Sequence, residues 1–149
     1  GEVGDGPERV EAEAEARELG VAEHVMFLGK IDTIAPLLAG ADLFLLTSDK
    51  ESFGLSALEA LASGVPVIGA RAGGLPEVVI HGETGFLCEI GDVSAMAAAG
   101  VQLLKDPAKW QQMSTAAAAD ARKRFSEDAV VAQYEALYQR TIASAVAGR

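Results

Sequence analysis

Two glutamates, Glu51 and Glu59, stand on either side of Gly54 in the segment between residues 48 and 59. Carboxylates accept hydrogen bonds from hydroxyl groups, and a glycine lets the backbone approach a ligand closely. Together these residue types suit a polyhydroxyl ligand that also carries phosphate. On spacing alone, a plainer alternative stays open, in which Glu51 is an exposed loop acid and Glu59 a solvated helix residue.

The elements around this pair place it at one edge of a sheet. Residues 41–47 predict a short buried strand, and residues 54–63 carry apolar side chains at helical spacing. The segment between them is therefore a strand-to-helix crossing, the usual place for ligands in a doubly wound sheet. Because a helix begins with unpaired N–H groups and the positive end of its dipole, the turn at residues 52–55 can receive a phosphate.

Glu59 lies inside this predicted helix, roughly 7.5 Å along its axis from Gly54. Helical Cα–Cβ bonds tilt toward the N-terminus, so the Glu59 carboxylate leans toward a ligand docked there. At that separation from a phosphate it can accept hydrogen bonds from ribose hydroxyls. Glu51, before the turn, can serve a second polyhydroxyl group. The pattern favours a nucleotide sugar as the ligand.

Composition narrows the class of protein. With 149 residues, of which 50% are hydrophobic, the chain suits one domain with a substantial core. No apolar run approaches the roughly 20 residues of a membrane span. No signal-peptide pattern opens the chain, and its single cysteine, Cys88, excludes an internal disulfide, so we expect a reducing cytoplasm and a small buried thiol. The net charge of −10 disfavours nucleic-acid binding and leaves the attraction of an anion to local dipoles and cations.

Predicted strands and helices alternate along the chain, which indicates a parallel sheet. We therefore expect an α/β fold, a partial doubly wound Rossmann-like sheet with C-terminal helices. Besides the strand and helix around Gly54, the predicted elements are a helix from Pro7 to about Leu19, a strand at His24–Leu28, a helix at Thr33–Ala39 capped by Asp32, a strand at Val65–Ile68, a short helix at Leu75–Ile80, a strand at Phe86–Glu89, and helices after Asp92 that break near Asp106-Pro107 and Phe125-Ser126.

Residues 48–69, continued by residues 73–79, closely resemble the donor-binding half of the family 4 retaining glycosyltransferases of the GT-B fold. The resemblance extends from Gly4 to about Tyr138. In that family a pair of glutamates binds the sugar nucleotide. The resemblance implies that Glu51 contacts hydroxyls of the donor sugar, as the candidate catalytic residue, and that Glu59 holds the ribose hydroxyls.

The resemblance also assigns backbone roles. Ser52, Phe53, Gly54 and Leu55 match the turn whose N–H groups face the distal phosphate and the sugar, and the Gly29-Lys30 turn matches the loop along which the nucleotide base lies. Enzymes of this fold generally work without a bound cation. No metal or other cofactor is therefore expected, and the two histidines are isolated in the sequence.

The family pattern implies further parts that these residues do not supply. Two more strand–helix units and an acceptor-binding domain are expected before Gly4, so residues 1–149 are predicted to be a donor domain truncated on its N-terminal side. Two basic residues that stabilise the leaving diphosphate are expected from the same portion, whereas Lys50 and Arg71 are interpreted as surface residues. The missing strands would expose a sheet edge unless another chain, such as a second copy, covers it.

Within the family, residues 29–30, 48–54 and 81–92 resemble the branch that moves GlcNAc from UDP-GlcNAc to L-malate in bacillithiol synthesis. The expected partners are thus a UDP-sugar and a small acceptor with a hydroxyl group. Two other functions stay open. One is a non-catalytic nucleotide-sugar binding or assembly module of the same fold. The other is a GT-B epimerase, although its acid/base residues are not recognisable in this chain.

Overall fold

The computed structural model describes residues 8–50 and 52–131, and the chain divides into two compact units, Gly1–Pro36 and Leu37–Arg149. Within the described residues no helix combines the length and the apolar character needed to cross a bilayer. The elements, in chain order, are α1 (Arg9–Glu18), a 3₁₀ turn (Ala22–His24), α2 (Ala35–Leu38), β1 (Phe44–Leu46), α3 (Leu55–Ala62), β2 (Val67–Ala70), α4 (Leu75–Val78), β3 (Gly85–Cys88), α5 (Val93–Leu104) and α6 (Pro107–Phe125).

The second unit contains a three-stranded parallel sheet in the order β1-β2-β3. All four residues of the central strand β2 are buried, as expected for a parallel strand covered on both faces. The strand predicted as buried over residues 41–47 is shorter, Phe44–Leu46, and the prediction of burial is wrong: β1 is an edge strand of the described sheet, and Leu45 is 55% exposed. Each strand is followed by a helix that carries the chain back, so the carboxyl ends of the strands and the amino ends of α3, α4 and α5 share one edge. The predicted α/β fold class is confirmed.

The two faces of the sheet bury different side chains because successive residues of a strand point to opposite sides. Ile68 and Ala70 of β2 pack with Met96 of α5. Gly69, between them, lies under Leu75 of α4, where an added Cβ would collide with that side chain. Helix α3 contacts α4 and the strands, and α6 packs on α3. The core is therefore a helix–sheet–helix sandwich.

Helices α5 and α6 begin after Asp92 and Asp106, where the sequence predicted a helix start and a break, and each aspartate caps its helix. The Asp92 side chain accepts a hydrogen bond from the N–H of Ala95 at 2.9 Å, and Asp106 accepts one from Lys109 at 3.0 Å. The predicted breaks at 106–107 and 125–126 are confirmed, and residues 127–131 are helical again. The rest of the predicted third helix lies outside the described residues.

Several predicted boundaries shift, and proline explains two of them. The strand predicted from Val65 begins at Val67, because Pro66 has no N–H to donate to the ladder. The helix predicted over 33–39 covers only Ala35–Leu38, which places Pro36 in its first turn, where a missing N–H is tolerated. Asp32 then lies too early in the chain to cap it.

The first unit contains α1, which ends as predicted just before Gly20, a residue with a left-handed φ of +69°. The strand predicted at His24–Leu28 is mostly wrong. Residues 22–24 form a 3₁₀ turn in which Val25 donates to the carbonyl of Ala22, and within the described part of the segment only Phe27 makes a β-bridge. Pro7, the predicted start of α1, lies outside the described residues.

Candidate functional site

The predicted crossing from strand to helix is present between β1 and α3. Gly54 is the N-cap of α3 and adopts φ +88° and ψ +39°, the left-handed region. This conformation is accessible to glycine at little strain, whereas Cβ strains it in other residues. We call residues 52–55 the glycine turn. It lies at the carboxyl edge of the sheet, as the sequence predicted.

The amino end of α3 differs from those of the longer helices α5 and α6. No side chain in the described part of the chain caps it, and its first turn holds no acidic residue. Helices α5 and α6, in contrast, each begin with an aspartate whose side chain accepts a hydrogen bond from the first turn. Leu55 is exposed and Ser56 is partly exposed at this helix end, where the dipole of α3 favours an anion such as a phosphate.

The side chains around this helix end are accessible. Phe53 is 39% exposed and Leu55 is 64% exposed, whereas Gly54 itself is buried. Glu59, one turn further along α3, is exposed, and among residues 8–50 and 52–131 nothing pairs with its carboxylate. Its backbone carbonyl accepts a hydrogen bond from the Ser63 hydroxyl at 2.9 Å. The carboxylate is thus available to hydroxyl groups of a ligand.

A second loop contacts the glycine turn from the neighbouring strand. The loop after β2 brings Gly74 so close that an added Cβ would lie 2.9 Å from Cα of Phe53 and 2.9 Å from the carbonyl oxygen of Ser52. Gly74 has an ordinary helical φ of −80°, so its backbone conformation does not require glycine. Glycine is required at this position because the two backbones approach each other too closely to admit a Cβ. The sequence analysis assigned Gly74 no role in the site and missed this contact.

An aromatic side chain from far along the chain also reaches the turn. The ring of Phe125, at the end of α6, packs edge-to-face on Phe53, with centroids 6.3 Å apart. The preceding Arg124 pairs with Asp120 one turn earlier. That spacing of opposite charges on one helix face was the available sequence signal, and neither residue was predicted to belong to the site.

The structure brings Ser52, Phe53, Gly54, Leu55 and Glu59 together at one helix end. Three other predicted site residues are not joined to them here. Gly29, with φ +68°, and the exposed Lys30 belong to the first compact unit. Glu51 lies outside the described residues. Its role and that of the Gly29-Lys30 turn stay predictions.

The remaining charged groups near the sheet edge have surface roles. Arg71, after β2, forms an ion pair with Glu89, after β3, at 3.5 Å, and Lys50 is exposed. Among the described residues no group of three or more His, Cys, Asp or Glu side chains could hold a metal ion. His81 is engaged in the fold, because its Nδ1 accepts a hydrogen bond from the N–H of Leu87 at 3.0 Å.

Cys88 behaves as part of the core rather than as a reactive group. It is half-buried on β3 and packs against the cluster formed around Ile68 and Met96. Burial, followed by the negative charge of Asp92, raises the pKa of the Cys88 thiol. A thiol with a raised pKa forms less of the nucleophilic thiolate at neutral pH.

A shallow cavity of about 280 Å³ lies away from the glycine turn, lined by Asp42, Leu104, Pro107 and Trp110. The indole N–H of Trp110 donates to the carbonyl oxygen of Asp42 at 2.6 Å, and Asp42 precedes β1. The cavity is therefore at the amino edge of the sheet, whereas the glycine turn is at the carboxyl edge.

Residues 3–120 match the family model described as glycosyl transferases group 1. The chain belongs to this family. The predicted membership in the family 4 glycosyltransferases of the GT-B fold is thereby confirmed.

Among its relatives, this group 1 glycosyltransferase chain is 48% identical to N-acetyl-alpha-D-glucosaminyl L-malate synthase of Bacillus anthracis over 136 residues, which cover 91% of the chain and 36% of the relative. It thus spans about a third of the length of that relative. HepE (Alr3699) of Anabaena, solved in complex with UDP, superposes with a TM-score of 0.80 and 33% identity over 95% of the chain and 40% of HepE. HepE has also been solved with UDP-glucose.

A third comparison concerns a separately solved domain. The C-terminal domain of the group 1 family protein LpcC from Francisella tularensis superposes with a TM-score of 0.71 and 28% identity. The match covers 78% of this chain and 61% of that domain. The two chains thus share most of one domain of the GT-B architecture.

Proposed function

We propose that this chain is the donor-binding part of a retaining glycosyltransferase that moves GlcNAc from UDP-GlcNAc to a small hydroxyl acceptor such as L-malate. One observation carries the proposal, namely the glycine turn at the carboxyl edge of the sheet, where the left-handed Gly54 begins α3. Such a helix end suits a diphosphate. Support comes from HepE, which shares the fold at 33% identity and was solved with UDP, and from the malate synthase relative.

Each predicted site residue has a role in this proposal. The N–H groups around Gly54 receive the distal phosphate, and the Glu59 carboxylate accepts hydrogen bonds from the ribose hydroxyls. Glu51 holds hydroxyl groups of the donor sugar near the reacting carbon, and the Gly29-Lys30 turn follows the base. Because the chain carries a net charge of −10, the attraction for an anionic donor must be local. The helix end supplies part of it.

The reaction that fits this arrangement is a front-face displacement. The bond from the anomeric carbon of the sugar to the diphosphate breaks, the leaving phosphate takes the proton of the acceptor hydroxyl, and that oxygen bonds to the same face of the sugar. Charge grows on the departing UDP, so groups that stabilise it lower the barrier. The α3 amino end does this from one side. We further propose that the cations on the other side, and the acceptor site, belong to a domain outside residues 1–149.

The deciding experiment is a calorimetric titration of the full-length protein with UDP, UDP-GlcNAc, UDP-glucose and GDP-mannose. We expect both UDP-GlcNAc and free UDP to bind, with GDP-mannose weaker. Binding without any sugar transfer to L-malate or another acceptor would favour a non-catalytic binding module instead. No binding of UDP would refute the proposal.

Two substitutions separate the parts of the site. Glu59→Ala should weaken UDP binding by about 1.5–3 kcal/mol, because charge-assisted hydrogen bonds to the ribose are lost, and should change turnover less. Glu51→Gln should leave UDP affinity within about twofold and lower turnover by a factor on the order of 10–1000, since UDP has no sugar for it to hold. Equal losses of UDP affinity in both variants would contradict this division of roles.

The preference for GlcNAc, the retaining stereochemistry, a role in bacillithiol synthesis and a cytoplasmic location are part of the proposal. NMR of the product formed from UDP-GlcNAc and L-malate tests the first two directly, because it reports the transferred sugar and its anomeric configuration. An inverted, β-linked product would rule out retention.

A further inference from the structure

The end of α6 contacts the glycine turn through Phe125 and the C-terminal end of α4 through Arg124. Arg124 donates from Nη1 to the carbonyl of Glu77 at 2.7 Å and from Nη2 to the carbonyl of Val78 at 2.8 Å. These are the last carbonyls of α4, which a helix end leaves without intrahelical partners. Asp120 accepts from Nε of Arg124 at 2.7 Å and holds the guanidinium in that orientation. Arg124 therefore ties α6 to the helix that follows Gly74.

Phe125, the next residue, reaches the other loop. The Arg124 guanidinium carbon lies 4.6 Å from the Phe125 ring centroid, a cation–π contact that orients the ring. The ring then meets Phe53 at 6.3 Å and an interplanar angle of 82°, a favourable edge-to-face geometry. Phe53 directly precedes Gly54, the N-cap of α3. The contact with Phe125 therefore helps to fix the backbone at which α3 begins.

Both contacts converge on one turn. Phe125 supports the glycine turn through Phe53, and Arg124 holds α4, whose N-cap Gly74 presses against the backbone of Ser52 and Phe53. We propose that Phe125 is a positioning residue for nucleotide binding, and that with Arg124 it sets the position of the glycine turn. This inference rests on the proposed function, because it assigns a support to the same site.

The test is Phe125→Leu in the full-length protein, with UDP affinity measured by calorimetry and stability by thermal unfolding. Leucine keeps the residue apolar and removes the edge-to-face pair. Aromatic pairs of this kind contribute enough that we expect UDP affinity to fall roughly 3- to 10-fold. Phe125→Tyr keeps the ring and should bind UDP within about twofold of the wild type, by the same argument.

Phe86→Leu is a matched control. Phe86 is also half-buried, and its ring packs edge-to-face on His81 with centroids 5.8 Å apart. The ammonium nitrogen of Lys109 lies 5.2 Å from the Phe86 ring centroid. It lies on the face of the sheet that packs with Met96, away from the glycine turn. Its variant should lose comparable thermal stability and keep the UDP affinity of the wild type.

The outcomes separate the two proposals. If the wild type does not bind UDP, the proposed function fails, and this inference fails with it. If the wild type binds UDP and Phe125→Leu binds it equally well, or if Phe86→Leu weakens binding as much, only the positioning role is overturned. Should Phe125→Leu not fold, Arg124→Lys gives the decision, because lysine cannot make both bonds to α4. Its UDP affinity should fall by a similar factor, and an unchanged affinity would overturn the inference.

Discussion

At the scale of single residues, two glycines of the candidate site are required for different physical reasons. Gly54 needs its left-handed backbone, with φ +88°, to begin α3 without a capping side chain. Gly74 has an ordinary backbone conformation and needs to be small, because two loops meet at its Cα. A substitution at Gly54 introduces strain, whereas one at Gly74 pushes the glycine turn aside.

This difference predicts the effect of Gly74→Ala. The new Cβ would meet backbone atoms of Ser52 and Phe53 at 2.9 Å, and backbone cannot rotate away as a long side chain can. We expect the turn to shift and the affinity for UDP to fall at least about fivefold, a loss near 1 kcal/mol that is typical of overpacking. Calorimetry of the full-length variant measures it.

Gly40→Ala is the control for this substitution, because a Cβ at Gly40 meets only the Leu37 carbonyl, at 4.0 Å. It should leave the UDP affinity unchanged. Wild-type affinity in Gly74→Ala would mean that the loops are not coupled in the way the contact suggests.

The site residues that the sequence predicted are placed by local structure, whereas those it missed are placed by contacts between distant parts of the chain. Gly54 and Glu59 were predictable because a local pattern, an apolar strand followed by a glycine and an amphipathic helix, determines where both lie. Gly74 and Phe125 were not predictable in their roles. Each acts through a contact with Phe53, and nothing in a single sequence indicates which distant residue will pack on an exposed ring.

At the scale of elements, the three longer helices of the second unit differ in how they begin. Helices α5 and α6 have aspartate caps, and α3 has none among the described residues. The capped helices serve packing, since α5 covers one face of the sheet and α6 packs on α3. Capping thus distinguishes α5 and α6 from α3, the helix at whose amino end a ligand is proposed to bind.

Asp106→Ala tests this division. Loss of the hydrogen bond from the N–H of Lys109 should lower the free energy of unfolding by about 1 kcal/mol, the usual effect of removing an N-cap. The affinity for UDP should not change, because this helix end is at the other edge of the sheet. Urea unfolding and calorimetry on the same preparation measure both quantities, and a parallel loss of UDP affinity would contradict the assignment.

Element order and type were predictable, and element boundaries were less so. Hydrophobic runs and glycines indicated every strand of the described sheet. Proline shifted the start of β2 and shortened α2, effects that local rules explain once the ladder is known. The strand predicted at His24–Leu28 failed for another reason, since a strand needs a partner that the segment's own sequence does not specify.

At the scale of the whole molecule, this chain covers only part of the proteins it resembles. It matches 36% of the malate synthase relative and 40% of HepE. The proposed reaction needs groups around two substrates, and in the proposal residues 52–59 serve only the donor. The remaining groups, the cations and the acceptor site, are proposed to lie elsewhere in a longer protein.

We therefore expect the 149-residue chain alone to bind UDP weakly and to transfer no sugar. The physical reason is that stabilisation of the leaving diphosphate requires charges on both sides. A radiolabel assay with UDP-GlcNAc and L-malate, run beside the full-length protein as a positive control, measures it. Sugar transfer by the purified 149-residue chain would show that the proposed division between domains is wrong.

The amino end of α3 has a consequence for how occupancy can be observed. Amide hydrogens in the first turn of a helix lack an intrahelical acceptor and exchange quickly where they reach solvent, and a bound diphosphate would slow the exchange at the accessible residues Leu55 and Ser56. The amides of Ala95 and Lys109 already donate to aspartates, so their exchange should not respond directly. Amide exchange at this helix end therefore reports whether the site is occupied. Deuterium uptake in one short peptide would distinguish the empty site from the filled one, without a labelled ligand and without turnover.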